Sequence, residues 1–176
     1  LPAGSGYEFS DEVTGGVIPR QFIPAVEAGI AEAMAHGGSS GYPVVDVRAA
    51  VYDGRHHAVD SSEMSFKMAG RLAFHEALGG ARPVVLEPVS AVEVTVPSDC
   101  LGDVMGDLSS RRAIVQGSEL DRWGDQVISA QVPSAEILRY SIDLRSITGG
   151  RGGFTAIHDH YARVPAGVDV PPPPEG

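Results

Sequence analysis

The chain has 176 residues, 43% of them apolar and 20% charged, with a formal net charge of −10. That length can bury a core as one large or two small domains, and the composition excludes a disordered chain. The charge excludes binding nucleic acid through bulk electrostatics, which needs basic surface, but not a local contact. No apolar run approaches the roughly 20 residues that span a bilayer, and no signal-peptide pattern appears, so no membrane contact is expected. The single cysteine, Cys100, has no internal partner for a disulfide, which points to a reducing, cytoplasmic setting. The start at Leu1 and the acidic, proline-rich end are expected of a piece cut from a longer chain.

Leu1–Gly6 is a lead-in, and Tyr7–Val13 reads as a strand that Thr14-Gly15-Gly16 breaks. A helix from about Arg20 to His36 follows, with Phe22, Val26, Ile30 and Met34 as its apolar stripe and Ile23 and Ala33 beside it. Pro24 fits only in the first turn, and Gly37-Gly38 stops the helix. Pro43–Asp53 reads as a half-buried strand, and Asp53-Gly54 as a turn that uses glycine's freedom at positive φ. Arg55, His56 and His57 form a polar tip beyond it. Asp60 through Glu63 reads as a capping box, opening a helix whose Met64, Met68 and Leu72 recur at helical spacing and extend through Phe74 to Leu78. Gly79-Gly80 ends it.

A domain boundary is expected near Glu87–Ala91, giving domains at 1–88 and 89–165 and a tail at 166–176. The second domain reads as strand Val89–Val96, helix Asp99–Arg111 capped by Ser98, strands Ala113–Glu119 and Gln126–Val132, helix Pro133–Ser146 and strand Phe154–Val164. Leu101, Val104, Met105 and Leu108 are the core face of the first helix, and Ile137, Leu138 and Ile142 that of the second. This β-α-β-β-α-β order is ferredoxin-like. Pro171 to Pro174 favour an extended polyproline conformation outside the fold.

The chemistry-bearing residues form no complete catalytic set. No phosphate-binding loop sequence is present, and Gly149–Gly153 reads as a turn, lacking the strand before and helix after it that a cradle needs. His158-Asp159-His160 has a spacing that suits zinc on one strand face, but no further ligand is evident, so no metal is expected. Asp53, His57 and Asp60 mimic an acid/base cluster, yet on an exposed tip a binding role is favoured over catalysis. Residues 1–88 carry 11 acids and 6 bases, and residues 89–165 carry 10 and 7. In the less acidic second part Arg111, Arg112, Arg139, Arg145 and Arg151 are the contact candidates, set against solvation or pairing with nearby acids.

Gly15-Gly16-Val17-Ile18-Pro19, Gly41-Tyr42-Pro43-Val44-Val45-Asp46, Tyr52-Asp53-Gly54, Val59-Asp60-Ser61-Ser62-Glu63-Met64, Gly102–Leu108, Ser110-Arg111-Arg112 and Asp143-Leu144-Arg145-Ser146 resemble the C-terminal part of elongation factor G. The resemblance runs from Leu1 to Pro165. It implies an α+β chain of two α/β sandwich domains. The first would be most of domain IV, a βαβ fold with a left-handed crossover and its first strand region missing. The second would be the ferredoxin-like domain V.

The resemblance further implies a translational GTPase that binds the ribosome and promotes tRNA and mRNA translocation, its domain IV tip entering the decoding region. Domain V would pack near the base of the large-subunit stalk. Asp53, Gly54, Arg55, His56 and His57 would be the RNA-contacting tip, with His57 at the family's tip histidine. Arg111, Arg112, Arg145 and Arg151 would supply contacts in the second domain. GTP and Mg2+ would belong to a missing N-terminal domain, so these residues need no cofactor, and a monomer is expected. Arg55-His56 replaces Ser-Tyr, and Leu120–Asp125 replaces a Pro-Arg-Gly-Asn-Ala-like turn. These departures leave open a main translocase or a paralogue specialised for recycling, stress or antibiotic protection. A free-standing RNA-binding module, and an enzyme or sensor on the second domain, are the readings from other classes.

Overall fold

A computed structural model describes residues 1–38, 41–57, 59 and 61–170. It is a mixed α+β chain whose contacts divide it into two compact units. The first is Leu1–Val85 with the described residues from Pro165 on, and the second is Leu86–Val164. Asp60 and Pro171 to Pro174, to which a cap and a polyproline tail were assigned, lie outside the described residues.

In the first unit β1 (Tyr7–Asp11) pairs in parallel with β2 (Val47–Val51), Tyr7 opposite Val47 and Phe9 opposite Ala49. Alternation sends Tyr7, Phe9, Val47, Ala49 and Val51 to one face, where two helices cover them. On the other face Arg48 pairs with Glu8 at 2.8 Å. Asp46 prepares this pairing. It adopts a left-handed backbone (φ 60°), and its carboxylate accepts the N–H groups of Gly6 at 2.9 Å and Gly4 at 3.1 Å.

A 3-10 turn at Arg20–Phe22 leads into α1 (Ile23–His36), with Pro24 in its first turn and Gly37 (φ 77°) at its end. The expected stripe is buried: Phe22, Ile23, Val26, Ile30, Ala33 and Met34. In α2 (Glu63–Gly80) the buried face differs from the expected one. Phe66, Gly70 and Phe74 point inward, while Met64, Met68 and Leu72 are 68%, 47% and 61% exposed. Both stripes have helical spacing, so periodicity alone does not separate them. Close approach does: a Cβ on Gly29 of α1 would lie 2.0 Å from the Lys67 carbonyl oxygen, and one on Gly70 would lie 2.5 Å from that of Val26. The helices meet at their glycines, and that contact fixes the rotation of α2.

The ends of α2 also differ. Its N-cap is Ser62, not Asp60: Ser62 Oγ accepts the Ser65 N–H at 3.1 Å and Ser65 Oγ accepts the Ser62 N–H at 2.7 Å. Gly79 and Gly80 continue the helix, and the backbone turns left-handed only at Arg82 (φ 54°).

The second unit has the order β3 (Leu86–Pro97), α3 (Leu101–Ser110), β4 (Ile114–Leu120), β5 (Asp125–Pro133), α4 (Tyr140–Thr148) and β6 (Gly153–Arg163). Its antiparallel sheet runs β4-β5-β3-β6, the ferredoxin-like arrangement. Val92, Val94 and Val96 of β3 and Ile128, Ala130 and Val132 of β5 pack against Val104, Leu108, Tyr140 and Leu144 of the helices. Ser98 does not cap α3; it sits in a 3-10 turn, and its hydroxyl donates to the Gly124 carbonyl at 3.0 Å. The second helix is shorter than expected. Ser134–Ile137 forms a 3-10 turn, and α4 then starts at a different rotation. Tyr140, Leu144 and Thr148 are therefore buried, and Leu138 and Ile142, assigned to the core, are exposed.

Phe66 stacks on Phe22 with ring centroids 4.7 Å apart. Truncating a buried Phe costs about 3–5 kcal/mol, so Phe66→Ala is expected to lower unfolding stability by that order in urea titrations. Met68→Ala, on the exposed stripe, is expected to cost under about 1 kcal/mol. A second measurement concerns Asp46. The Gly6 and Gly4 N–H groups hold its carboxyl below the usual carboxylate range. Its contribution is therefore complete above that range and is lost as pH falls through the depressed value. Asp46→Asn is expected to be less stable than the parent near neutrality, with the gap narrowing below pH about 4 in a pH series of urea midpoints.

Candidate functional site

The tip between β2 and α2 is held from three directions. Asp53 Oδ1 accepts the Gly54 N–H at 2.8 Å. Gly54 does not adopt the positive φ expected of it; its role is steric, since a Cβ there would lie 2.5 Å from Cδ1 of buried Ile18. The chain thus passes close over the core before it reaches Arg55. At the far side the His57 N–H donates to Ser61 Oγ at 2.9 Å, and the Ser61 N–H donates to the His57 carbonyl at 3.1 Å. The His56 ring leans toward Phe22 with centroids 6.0 Å apart. Ser61 closes the tip and Ser62 caps the helix, so neither serine is set up as a nucleophile.

Tyr52, Asp53, Arg55, His56 and His57 are all exposed, and Gly54 is half-buried. The structure brings these sequence-assigned residues together on one short loop. Asp60 lies outside the described residues. Tyr52, 73% exposed beside Asp53, is an aromatic the sequence reading passed over. Its place at the end of an alternating strand, where the fold no longer covers either face, was the available signal.

The second-unit arginines divide. Arg111 donates to both carboxylate oxygens of Asp107 at 2.8 and 3.1 Å, to Asp143 at 2.8 Å and to the Glu136 carbonyl at 2.8 Å. Arg112 grips Glu87 through two bonds of 2.7 and 2.9 Å and Glu136 through a third of 3.0 Å. Both side chains are largely covered, at 16% and 27% exposure, and their donors tie α3 to β3 and to the segment around α4. Arg139 and Arg145 are exposed. Arg151 is exposed and pairs with Asp99 at 3.0 Å, which holds that carboxyl below its ordinary value.

The remaining chemical candidates do not converge. The β6 ladder shifts register opposite Val89 and Ser90, which pair with His160 and His158. Asp159 is the extra residue of a bulge and breaks the strict alternation expected there. Asp159 accepts from Gln131 at 2.7 Å and contacts His160 Nδ1 at 3.0 Å, while the His158 ring packs on Tyr161. Among the described residues no three His, Cys, Asp or Glu side chains are grouped to hold a metal ion. Burial pushes the Cys100 thiol up, away from a reactive thiolate. Gly149 (φ 61°) ends α4, and the glycine run leads into β6, the reverse of the strand-loop-helix order that cradles phosphate.

Two family patterns cover the chain: that described as elongation factor G, domain IV, matches residues 1–82, and that described as elongation factor G C-terminus matches residues 84–169. A crystal structure of a protein from Thermus thermophilus is 42% identical and aligns over 92% of this chain with a TM-score of 0.82. The chain spans about a quarter (24%) of that protein's length. It belongs to the elongation factor G family and consists of that family's domain IV and C-terminal domain.

A methyl group at Gly54 must displace Ile18 or the tip. Gly54→Ala is expected to cost about 1–3 kcal/mol as overpacking, measured by urea unfolding. The amide resonances of Arg55–His57 are expected to shift with it.

Proposed function

We propose that this chain is the ribosome-engaging part of an elongation factor G-type GTPase, and that its tip, Asp53 to His57, contacts RNA in the decoding region during tRNA and mRNA translocation. The observation that carries the reading is the tip itself. In a domain IV of this family, one guanidinium and two imidazoles are held exposed on a loop tied to Ile18, Phe22 and Ser61. Such side chains hydrogen-bond to phosphates and stack on unpaired bases. The braces at Ile18, Phe22 and Ser61 hold these side chains before contact, which lowers the entropy cost of binding.

The C-terminal domain is then the part that sits against the base of the large-subunit stalk. Arg145 and Arg151, the latter also paired with Asp99, are exposed cations that could meet it. Arg111 and Arg112 act by holding the domain together, because their donors are committed internally. GTP and Mg2+ act in a different domain of the protein, in the cytoplasm, and the working form is a monomer. Arg55-His56 at the tip favours a second reading within the family, a paralogue that binds the ribosome for recycling, stress or antibiotic protection.

A charged hydrogen bond is worth about 1.5–3 kcal/mol, so His57→Ala is expected to weaken co-sedimentation with programmed ribosomes by about ten-fold or more. Its unfolding midpoint should match the parent's, since exposed substitutions cost within about 0.5 kcal/mol. Unchanged sedimentation would refute the tip as a contact. In the protein that also carries the GTP-binding domain, mRNA movement with each hydrolysis event marks a translocase, and binding without movement marks the paralogue.

A further inference from the structure

The outward face of α4, with the residues that lead into it, joins exposed aliphatic side chains to arginines that no acid holds. The 3-10 turn at Ser134–Ile137 sets the rotation that buries Tyr140, Leu144 and Thr148, and the same rotation turns Ile142 outward. Ile142 is 61% exposed, and Leu138, one turn before it, 83%. Arg139, at the N-cap of α4, and Arg145 are exposed beside them. Neither arginine has an ion-pair partner among the described residues. The acids of this segment are already engaged. Between Ser134 and Gly150 they are Glu136 and Asp143. Asp143 accepts from Arg111 at 2.8 Å and Glu136 from Arg112 at 3.0 Å. Arg139 and Arg145 are therefore uncompensated, on a chain whose net charge is −10.

We propose that this face docks an acidic amphipathic helix of a large-subunit ribosomal protein. The apolar side chains of that helix cover Leu138 and Ile142, and its carboxylates pair with Arg139 and Arg145, whose planar guanidiniums match carboxylate geometry. Charge selects the sign of the partner. An acidic segment is repelled by the chain as a whole and attracted by this patch, which fixes where it lands. The aliphatic pair selects protein over RNA. Leu138 and Ile142 offer bases no stacking surface, and the one aromatic of the segment, Tyr140, is fully buried. Two guanidiniums are too few for binding led by phosphates. A helix fits because Leu138, Ile142 and Arg145 recur at helical spacing, and a second helix packs its side chains between such rows. The source of the helix rests on the proposal that this domain meets the large subunit; the chemistry of the face does not.

The probe is a synthetic helical peptide with leucines along one face and glutamates along the other, titrated into the intact chain by NMR. Saturable shifts of the Leu138–Ser146 amides are expected, with affinity falling as salt rises. Ile142→Ala should weaken binding about five-fold or more, the threshold for residues that carry an interface, with the unfolding midpoint of the parent. The double variant Arg139→Glu with Arg145→Glu should lose this peptide and gain its counterpart with lysine in place of each glutamate. A merely structural role for the arginines would not produce that exchange. Absent shifts, or equal binding of both peptides by the parent, would overturn the proposal. Purified large subunits test the source. Cys100 is buried, so a photo-crosslinker goes selectively onto Ser141→Cys. A protein adduct that the double charge variant loses is expected; an adduct to ribosomal RNA or to a second copy of the chain would overturn the proposal. Peptide binding without any binding of the parent to ribosomes refutes the ribosomal reading. Ribosome binding without peptide binding refutes this face alone.

Discussion

The first unit depends on how closely its two helices approach. At Gly29 and Gly70 each helix lies against a carbonyl of the other, Lys67 and Val26, at separations that leave no room for a Cβ. That contact fixes which side of α2 faces inward. Phe66 and Phe74 are committed to the core beside Phe22, and Met64, Met68 and Leu72 to the outside. The start of α2 is set separately, by the Ser62 cap. Ser61 and Ser62 stand at that start, one holding His57 and the other capping the helix. The glycine contact governs the core, and the tip is braced next to it by Ile18, Phe22 and Ser61.

The second unit solves a different problem. Its helices are short, and α3 and α4 cover one face of a sheet whose central strand, β3, pairs on both sides. Arg111 and Arg112 bind the helices and β3 together through Asp107, Asp143, Glu136 and Glu87. With the cations partly covered and several carboxylates converging on each, this network is worth more than isolated surface pairs. The same pairing removes both residues from the set free to meet a partner. The exposed cations of the second unit are then found elsewhere, among them Arg139, Arg145 and Arg151.

Both units present exposed side chains on braced loops. The tip of the first is braced by Ile18, Phe22 and Ser61, and the hairpin of the second by Asp121 and Ser98. A loop braced by such contacts loses less freedom on meeting a partner. That suits domains of the elongation factor G family, whose members associate with the ribosome.

Local patterns by themselves determined much of this protein. Strand alternation in Tyr7–Val13 and Val89–Val96, the α1 stripe, Pro24 in a first turn and Gly37 at a helix end are each set by near neighbours in the chain. The polar run Arg55-His56-His57 between a strand and a helix was equally legible. Tertiary structure decided what local pattern leaves degenerate. α2 carries two apolar stripes, and only the glycine contact with α1 chooses between them. A 3-10 turn at Ser134–Ile137 rotates α4 and puts Tyr140 and Leu144, not Leu138 and Ile142, in the core. Gly54 looked like a conformational glycine and is a steric one, because Ile18, 36 residues earlier, lies beneath it. The arginines read alike in sequence, and distant carboxylates at Glu87 and Asp143 separated the structural pair from the exposed ones. For α2, Gly54 and the arginine pair the deciding partner is remote in sequence, so periodicity within one segment carries no record of it.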